Sequence, residues 1–263
     1  MATKSSKPRL LAIVGPTAAG KSELAMRLAK DLDGEIICAD SRTIYLGMDI
    51  GTAKPSRADQ KAIKHWGLDL VHPGETYSAG RFKNYAQEVI GDIYNRGKIP
   101  LLVGGTGLYV DAVLYDYQFS PAGSERDPLN PRHLKKTSAR SRRKKLRPDT
   151  VFAGLLPTDK QLQANIAARS TKMFDQGVLA ETKKLVDKYG EAAVAGTAGI
   201  VYRITLRLIR GEIDQAKAIE LFKTADWQYV RRQKTWFKRN RDINWFNTPQ
   251  EAYKYLRKKP LNT

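Results

Sequence analysis

A chain of 263 residues is enough for one large domain, or one domain with an appendage, and chains of this size bury roughly 70–75% of their unfolded surface. With 41% hydrophobic and 28% charged residues, the composition excludes a mostly disordered or fibrous chain, and no apolar run reaches the ~18 residues a membrane crossing requires. Charge is more telling: 46 Lys and Arg stand against 27 Asp and Glu, a formal +19. Such an excess opposes compactness unless a polyanion uses it, and nucleic acid is the usual polyanion. The competing explanation is a habitat in which proteins are generally basic. Met1 to Arg9 is polar and basic, without the apolar stretch of a signal peptide. The single cysteine, Cys38, has no internal partner and is read as a small core residue. That usage fits a reducing cytoplasm, where the protein is expected to work.

The first half alternates short apolar runs with amphipathic stretches. Arg9–Val14 reads as a central strand, Glu23–Leu32 as a helix and Glu35–Ala39 as a second strand. Ser78–Arg96 is a long helix with Phe82, Tyr85, Ala86, Val89, Ile90 and Ile93 on one face. Pro100–Val103 is a third strand, and Thr106–Leu114 a helix after the Gly104-Gly105 turn. The alternation predicts an α/β class with a parallel sheet. Asp116–Asp149 breaks the rhythm with four prolines and a surplus of basic residues, densest at Arg140–Arg147. This cluster is either a solvated surface or an RNA contact. Val151–Leu156 returns to strand character. Helices are expected over 159–176, 178–189, 198–210, 214–240 and Pro249–Lys258, with an apolar patch at Ile243–Phe246. The expected organisation is a core over 1–115, a basic insertion over 116–150, and the remainder of the core with C-terminal helices over 151–263.

Gly15-Pro16-Thr17-Ala18-Ala19-Gly20-Lys21-Ser22 fits the pattern G-x-x-x-x-G-K-[ST] between a predicted strand and a predicted helix. That context marks a phosphate-binding loop. Its glycines let backbone N–H groups face phosphate oxygens, and the helix start adds partial positive charge. Lys21 supplies a point charge and Ser22 a hydroxyl for Mg2+. The loop alone says only that a polyphosphate binds.

After the second strand comes Asp40-Ser41-Arg42-Thr43, opening the string that runs to Pro55. Asp40 lies at the carboxyl end of a parallel strand, where open α/β sheets bind ligands. A carboxylate there can be a base, a metal ligand, a hydrogen-bond acceptor or merely a helix cap. GPTAAGKS at 15–22, DSRTIYLGMDIGTAKP at 40–55, HWGLDLVHPGETYSAGRF at 65–82, PLLVGGTGLYVDAVL at 100–114 and RRQKTWFKR at 231–239 together resemble the tRNA dimethylallyltransferase (isopentenyltransferase) family. The resemblance implies a P-loop NTPase-like sheet with a mostly helical C-terminal part. It also implies transfer of a dimethylallyl group from its diphosphate to N6 of an adenine beside the tRNA anticodon. Asp40 then matches the base that accepts the amine proton, and Thr17 a hydroxyl near the leaving group. Lys21 and Mg2+ on Ser22 stabilise the departing diphosphate. Asp40, Ser41, Arg42, Thr43, Thr106, Tyr202, Arg203, Arg231 and Arg232 match positions on the tRNA side. The target base sits in a structured loop and must be flipped out.

The partners implied are the anticodon stem-loop of tRNA and dimethylallyl diphosphate, with no membrane and a monomeric protein. The basic, aromatic stretch around Arg231 and Arg232 suits RNA; Trp236 and Phe237 are expected to be buried there. Three departures from the family stand out. Asp226-Trp227 replace a common Thr-Arg pair, removing a cation. Val201 and Ile204 replace a glycine and a polar residue around Tyr202 and Arg203, and the insertion after the GGTG helix is short. His65, His72 and His133 form no metal constellation, and His65 is expected to be structural. Alternatives are a P-loop small-molecule kinase or ATPase, which needs a Walker-B carboxylate not visible here; a prenyltransferase of free adenine nucleotides, which needs no distributed cations; and an RNA-binding protein with a decayed site.

Overall fold

The computed structural model describes residues 10–119, 145–197 and 199–258. Its centre is strand β1 (Leu10–Val14), five apolar residues that are all buried. Both faces of this strand are covered, as a continuous apolar run in a parallel sheet requires. In chain order the other elements are α1 (Lys21–Asp31), β2 (Gly34–Cys38), α2 (Arg57–Ala62), β3 (His65–Trp66), α3 (Ala79–Asn95), β4 (Ile99–Gly104) and α4 (Gly107–Leu114). Then follow β5 (Thr150–Leu155), α5 (Asp159–Asp175), α6 (Val178–Tyr189), α7 (Glu191–Gly196), α8 (Ile200–Ile209), α9 (Gln215–Phe237), β6 (Asn244–Phe246) and α10 (Pro249–Lys258). The strands form one all-parallel sheet in the order β3-β2-β4-β1-β5-β6. β1 therefore hands its chain across β4 to β2 on one side and pairs with β5 on the other.

Alternation along β1 divides the core. Leu10, Ala12 and Val14 face α3, α4 and Phe237 of α9, whereas Leu11 and Ile13 face α1, α5 and α10. The helices begin where the sequence supplies caps: Ser78, Thr158 and Asp214 each accept the amide of the residue three positions on. Two smaller clusters lie outside the sheet. One packs Ile44, Tyr45 and Met48 against Leu185, Tyr202 and Leu206. The other joins Met173, Val178, Val201, Ile204, Ala218 and Phe222.

The α/β class, the parallel sheet and the last helix agree with the sequence reading. Four short elements do not appear in it. β3 has two residues and β6 three, while α2 and α7 have six each. Elements this short carry too little periodicity to register. The helix expected to reach 240 ends at Phe237. The departures at Val201 and Ile204 have a packing reason, since both side chains are buried between α5, α6 and α9. Most of the expected basic insertion, including Arg140, Arg142, Arg143, Lys144 and His133, lies outside the described residues. Lys145 is exposed, and Arg147 donates its amide to the Leu114 carbonyl at 2.8 Å.

Candidate active site

Three strand ends bring the predicted segments to one edge of the sheet. β1 runs into Gly15–Ser22, β2 into Asp40, and β4 into the Gly104–Thr106 turn. The Ala39 amide donates to the Val103 carbonyl at 2.7 Å, and the Thr106 amide to the Ala39 carbonyl at 3.2 Å. Thr106 Oγ1 in turn accepts the Ser41 amide at 3.0 Å and donates to Ser41 Oγ at 3.2 Å. The Asp40 loop and the GGTG turn are thus one hydrogen-bonded unit.

At the phosphate-binding loop the backbone is contorted. Ala18 has φ 64° and Gly20, the N-cap of α1, has φ 88°. The second is the left-handed region in which glycine is free of the Cβ penalty. Not every amide in the loop faces a ligand, contrary to the simplest expectation. The Thr17 amide donates to Gln233 Oε1 at 2.9 Å and the Ala19 amide to the Pro16 carbonyl at 3.3 Å. The donors left to an anion include those at the start of α1, where Gly20, Lys21 and Ser22 enter the helix. Lys21 Nζ lies on the Pro16 carbonyl at 2.7 Å. Burial pushes its pKa down to about 8, against the opposing pull of Asp40 and with help from Arg169.

Asp40 is half-buried. Its Oδ1 accepts the Arg42 amide at 2.9 Å, and its other carboxylate oxygen accepts no hydrogen bond from the described residues. Its charge is felt by Lys21, Arg169 and Tyr229. Thr43 is buried, its hydroxyl donating to the Asp40 carbonyl at 3.3 Å. Arg42 reaches away from solvent. Its guanidinium stacks 4.2 Å from the centre of the Tyr229 ring and pairs with Asp226 at 3.5 Å. Asp226, which the sequence suggested as the loss of a cation, is instead a buried anion on α9 with a 4% exposed side chain.

Gln233 of α9 ties the two halves of the site. While accepting the Thr17 amide it donates from Nε2 to the Gly105 carbonyl at 3.0 Å. Three residues on, Trp236 packs against Gly107, where a Cβ would stand 2.1 Å from the indole, and donates from Nε1 to Asp111 at 2.9 Å. Phe237 is fully buried as expected, but Trp236 is 38% exposed. With Gln228, Arg231, Arg232, Thr235 and Arg239 it lines a groove of about 530 Å3. Arg231 and Arg232 are exposed there.

The 44–56 stretch is held from below. Glu181 of α6 accepts the amides of Asp49, Ile50 and Gly51 at 3.0, 2.7 and 3.0 Å and the hydroxyl of Tyr202 at 2.8 Å. The Lys54 ammonium, 1% exposed, donates to Asp49, Asp69 and the Tyr45 carbonyl at 2.8, 2.5 and 2.6 Å. Tyr202 is 0% exposed. Its place is under this loop and not at the surface, whereas Arg203 beside it is exposed. His65 sits on the edge strand with Nδ1 2.8 Å from the Ile63 carbonyl.

Sequence reasoning missed Gln233, Glu181, Lys54 and Arg169, and read Asp226 only as a lost cation. Gln233 lies within the string RRQKTWFKR, and its spacing from Tyr229 and Trp236 could have placed it on the inner face of α9. Glu181 carries no local signal.

Comparison with known proteins places these residues in context. The sequence model described as IPP transferase matches residues 43–147 and 129–240. A tRNA dimethylallyltransferase of Staphylococcus epidermidis is 34% identical over 93% of this chain and 88% of its own. One from Halothermothrix orenii is 32% identical over 94% and 90%. The crystal structure of the tRNA isopentenylpyrophosphate transferase of S. epidermidis superposes with a TM-score of 0.79 at 31% identity, covering 95% of this chain and 98% of that one.

Proposed function

This chain belongs to the IPP transferase family, and on that premise we propose that it transfers a dimethylallyl group from dimethylallyl diphosphate to N6 of an adenine beside the anticodon of tRNA. The observation carrying this reading is the meeting of the P-loop lysine with a half-buried carboxylate, Asp40, at one sheet edge beside a basic groove. A kinase reading does not use the groove, and a free-nucleotide acceptor does not need it.

The roles follow from the geometry. The exocyclic amine of adenine is a poor nucleophile because its lone pair is delocalised into the ring. Asp40 takes the amine proton on its unengaged oxygen as the new N–C bond forms. The allylic C–O bond breaks as diphosphate departs. Lys21 and the amides opening α1 meet the charge that builds on its oxygens, and the partly dry site strengthens them. Thr17 is buried within the P-loop, and its hydroxyl is assigned to the leaving group. The described residues contain no cluster of three His, Cys, Asp or Glu suited to a metal. The fit for Mg2+ is therefore the exposed Ser22 hydroxyl together with phosphate oxygens, the hard, water-rich donor set that this ion accepts. Bound there, it would neutralise diphosphate charge.

On the RNA side, Ser41 and Thr106 shape the pocket rim through their mutual hydrogen bonds, and Thr43 through its bond to the Asp40 carbonyl. Arg42 and Tyr229 form its wall, Tyr229 lying between the guanidinium groups of Arg42 and Arg232 at 4.2 and 5.5 Å. Arg231, Arg232 and Arg239 offer cations for phosphates, and Trp236 offers a ring for an unpaired base. Tyr202 acts through Glu181 on the loop, and Arg203 faces solvent as a phosphate contact. We place the reaction in the cytoplasm, on a monomer; no helix among the described residues is long and apolar enough to cross a membrane.

The test is incubation with bulk tRNA and radiolabelled dimethylallyl diphosphate, with AMP as rival acceptor and ATP hydrolysis followed in parallel. Label should enter RNA as N6-prenyladenine. Label in AMP alone, or ATP turnover without label transfer, would replace this reading with one of the alternatives.

A further inference from the structure

A half-buried arginine beside the P-loop, its Nε fully buried, has no place in the roles above. Arg169 lies on α5, one helical turn after Asn165. Asn165 Nδ2 donates to the Ala18 carbonyl of the P-loop at 2.8 Å, so the face of α5 carrying both residues is pinned against that loop. Leu162 and Ile166 of the same helix are buried against the sheet, which leaves α5 little freedom to withdraw. Arg169 Nε is buried without a hydrogen-bond partner among the described residues. Nor does the guanidinium make an ion pair within 4 Å among them. The nearby carboxylate, Asp226, pairs with Arg42 instead, and its Oδ1 also lacks a hydrogen bond.

The charged groups facing this point are Lys21, Arg42 and Arg169 on one side and Asp40 and Asp226 on the other. Burial lowers the pKa of Arg169 and of Lys21, and each cation disfavours the charge of a neighbouring one. A buried guanidinium with an unmet donor is costly unless an anion arrives to meet it. A planar fork of donors is suited to two oxygens of one phosphate group.

We propose that Arg169 is a diphosphate-binding residue, closing on the leaving group from α5 opposite Lys21. This rests on the diphosphate reading of the P-loop and adds a second cation to it. In the free protein Asp226 helps to balance the cluster; when diphosphate binds, Arg169 turns its unmet donor to a phosphate oxygen.

The experiment is a calorimetric titration with inorganic pyrophosphate and Mg2+ of the wild type, Arg169→Met, Arg169→Lys and the double variant Arg169→Met/Asp226→Asn. KM values for dimethylallyl diphosphate and for tRNA are measured alongside. Arg169→Met should weaken pyrophosphate at least tenfold and raise the dimethylallyl diphosphate KM similarly, with the tRNA KM unchanged. Arg169→Lys keeps the charge but not the fork and should lose at least threefold. Adding Asp226→Asn should not restore binding. Affinity within twofold of wild type in the Met variant overturns the proposal, as does rescue by Asp226→Asn, which would make Arg169 only a counter-charge. Should the Met variant fail to fold, the Lys variant decides by the same criterion. If the wild type itself does not bind pyrophosphate, the failure lies with the P-loop reading and not with Arg169 alone.

Discussion

The two ends of the candidate site are built in different ways. The phosphate end is mostly local: eight consecutive residues, a left-handed glycine, the first turn of α1 and Lys21, with α5 and α9 reaching in only through Asn165 and Gln233. The acceptor end is assembled from afar. Glu181 holds amides about 130 residues away, and Gln233 joins Thr17 to Gly105 across separations of 216 and 128. A substituent at the phosphate end acts on chemistry directly, whereas at the acceptor end it acts on shape, through buried polar groups that become orphans when a partner is removed. Loss of function should therefore come without loss of stability at one end and together with it at the other.

The largest expected effect breaks the phosphate end. Lys21→Met should lower the single-turnover rate by roughly 10²–10³, the cost of removing one stabiliser of developing charge, with tRNA affinity unchanged and thermal unfolding not lowered. A variant that melts early would show that Lys21 is structural. The same lysine gives a pH signature. Its folded pKa is lowered to about 8, so above that pH the free protein loses the charge that binds diphosphate. Pyrophosphate affinity should then fall by up to tenfold per pH unit above about 8, a slope absent from Lys21→Met. For stability the sign is opposite. The unfolded chain holds this proton up to its ordinary pKa of 10.5, so the cost of burying the charge is relieved as pH rises from about 8 towards 10.5. Titrations from pH 7 to 9.5 read the binding effect.

At the acceptor end Gln233→Leu leaves the Thr17 amide and the Gly105 carbonyl unmet and should destabilise by about 1–3 kcal/mol for each group orphaned. Denaturant unfolding measures this, and a fall in kcat without loss of stability would contradict the tether. Glu181→Gln keeps the shape but sets an NH2 donor against the donors on one of the two former oxygens, and should cost about 1–3 kcal/mol for each group left unmet. We expect the KM for tRNA to rise with kcat nearly intact. The smallest effect on function tests the packing at Val201: Val201→Gly should destabilise by about 1–3 kcal/mol through a cavity and helix propensity, leaving pyrophosphate binding unchanged.

This contrast also explains what the sequence made legible. β1 is a continuous apolar run and the P-loop a contiguous pattern, so both could be read locally, as could the approximate extents of α3, α5, α6 and α9. The acceptor wall could not be read this way. A glutamate at position 181 of an amphipathic helix looks like any solvated charge until the 49–51 loop folds over it. Asp226 reads as a missing cation because nothing nearby shows that Arg42 will reach it. Trp236 and Phe237 were both expected in the core, yet adjacent helical positions diverge by about 100°, and only Phe237 points at the sheet.

The central claim is that Asp40 takes the proton of an adenine amine while diphosphate leaves. It is tested most directly by single-turnover transfer of labelled dimethylallyl groups to tRNA by the wild type and Asp40→Asn, each saturated with both substrates. We predict label at N6 of adenine with a rate roughly 10²–10⁴ slower in the variant, the usual range for a lost general base, and unchanged affinity for tRNA and pyrophosphate. A variant as fast as the wild type would contradict the account and reduce Asp40 to the turn-forming acceptor of the Arg42 amide.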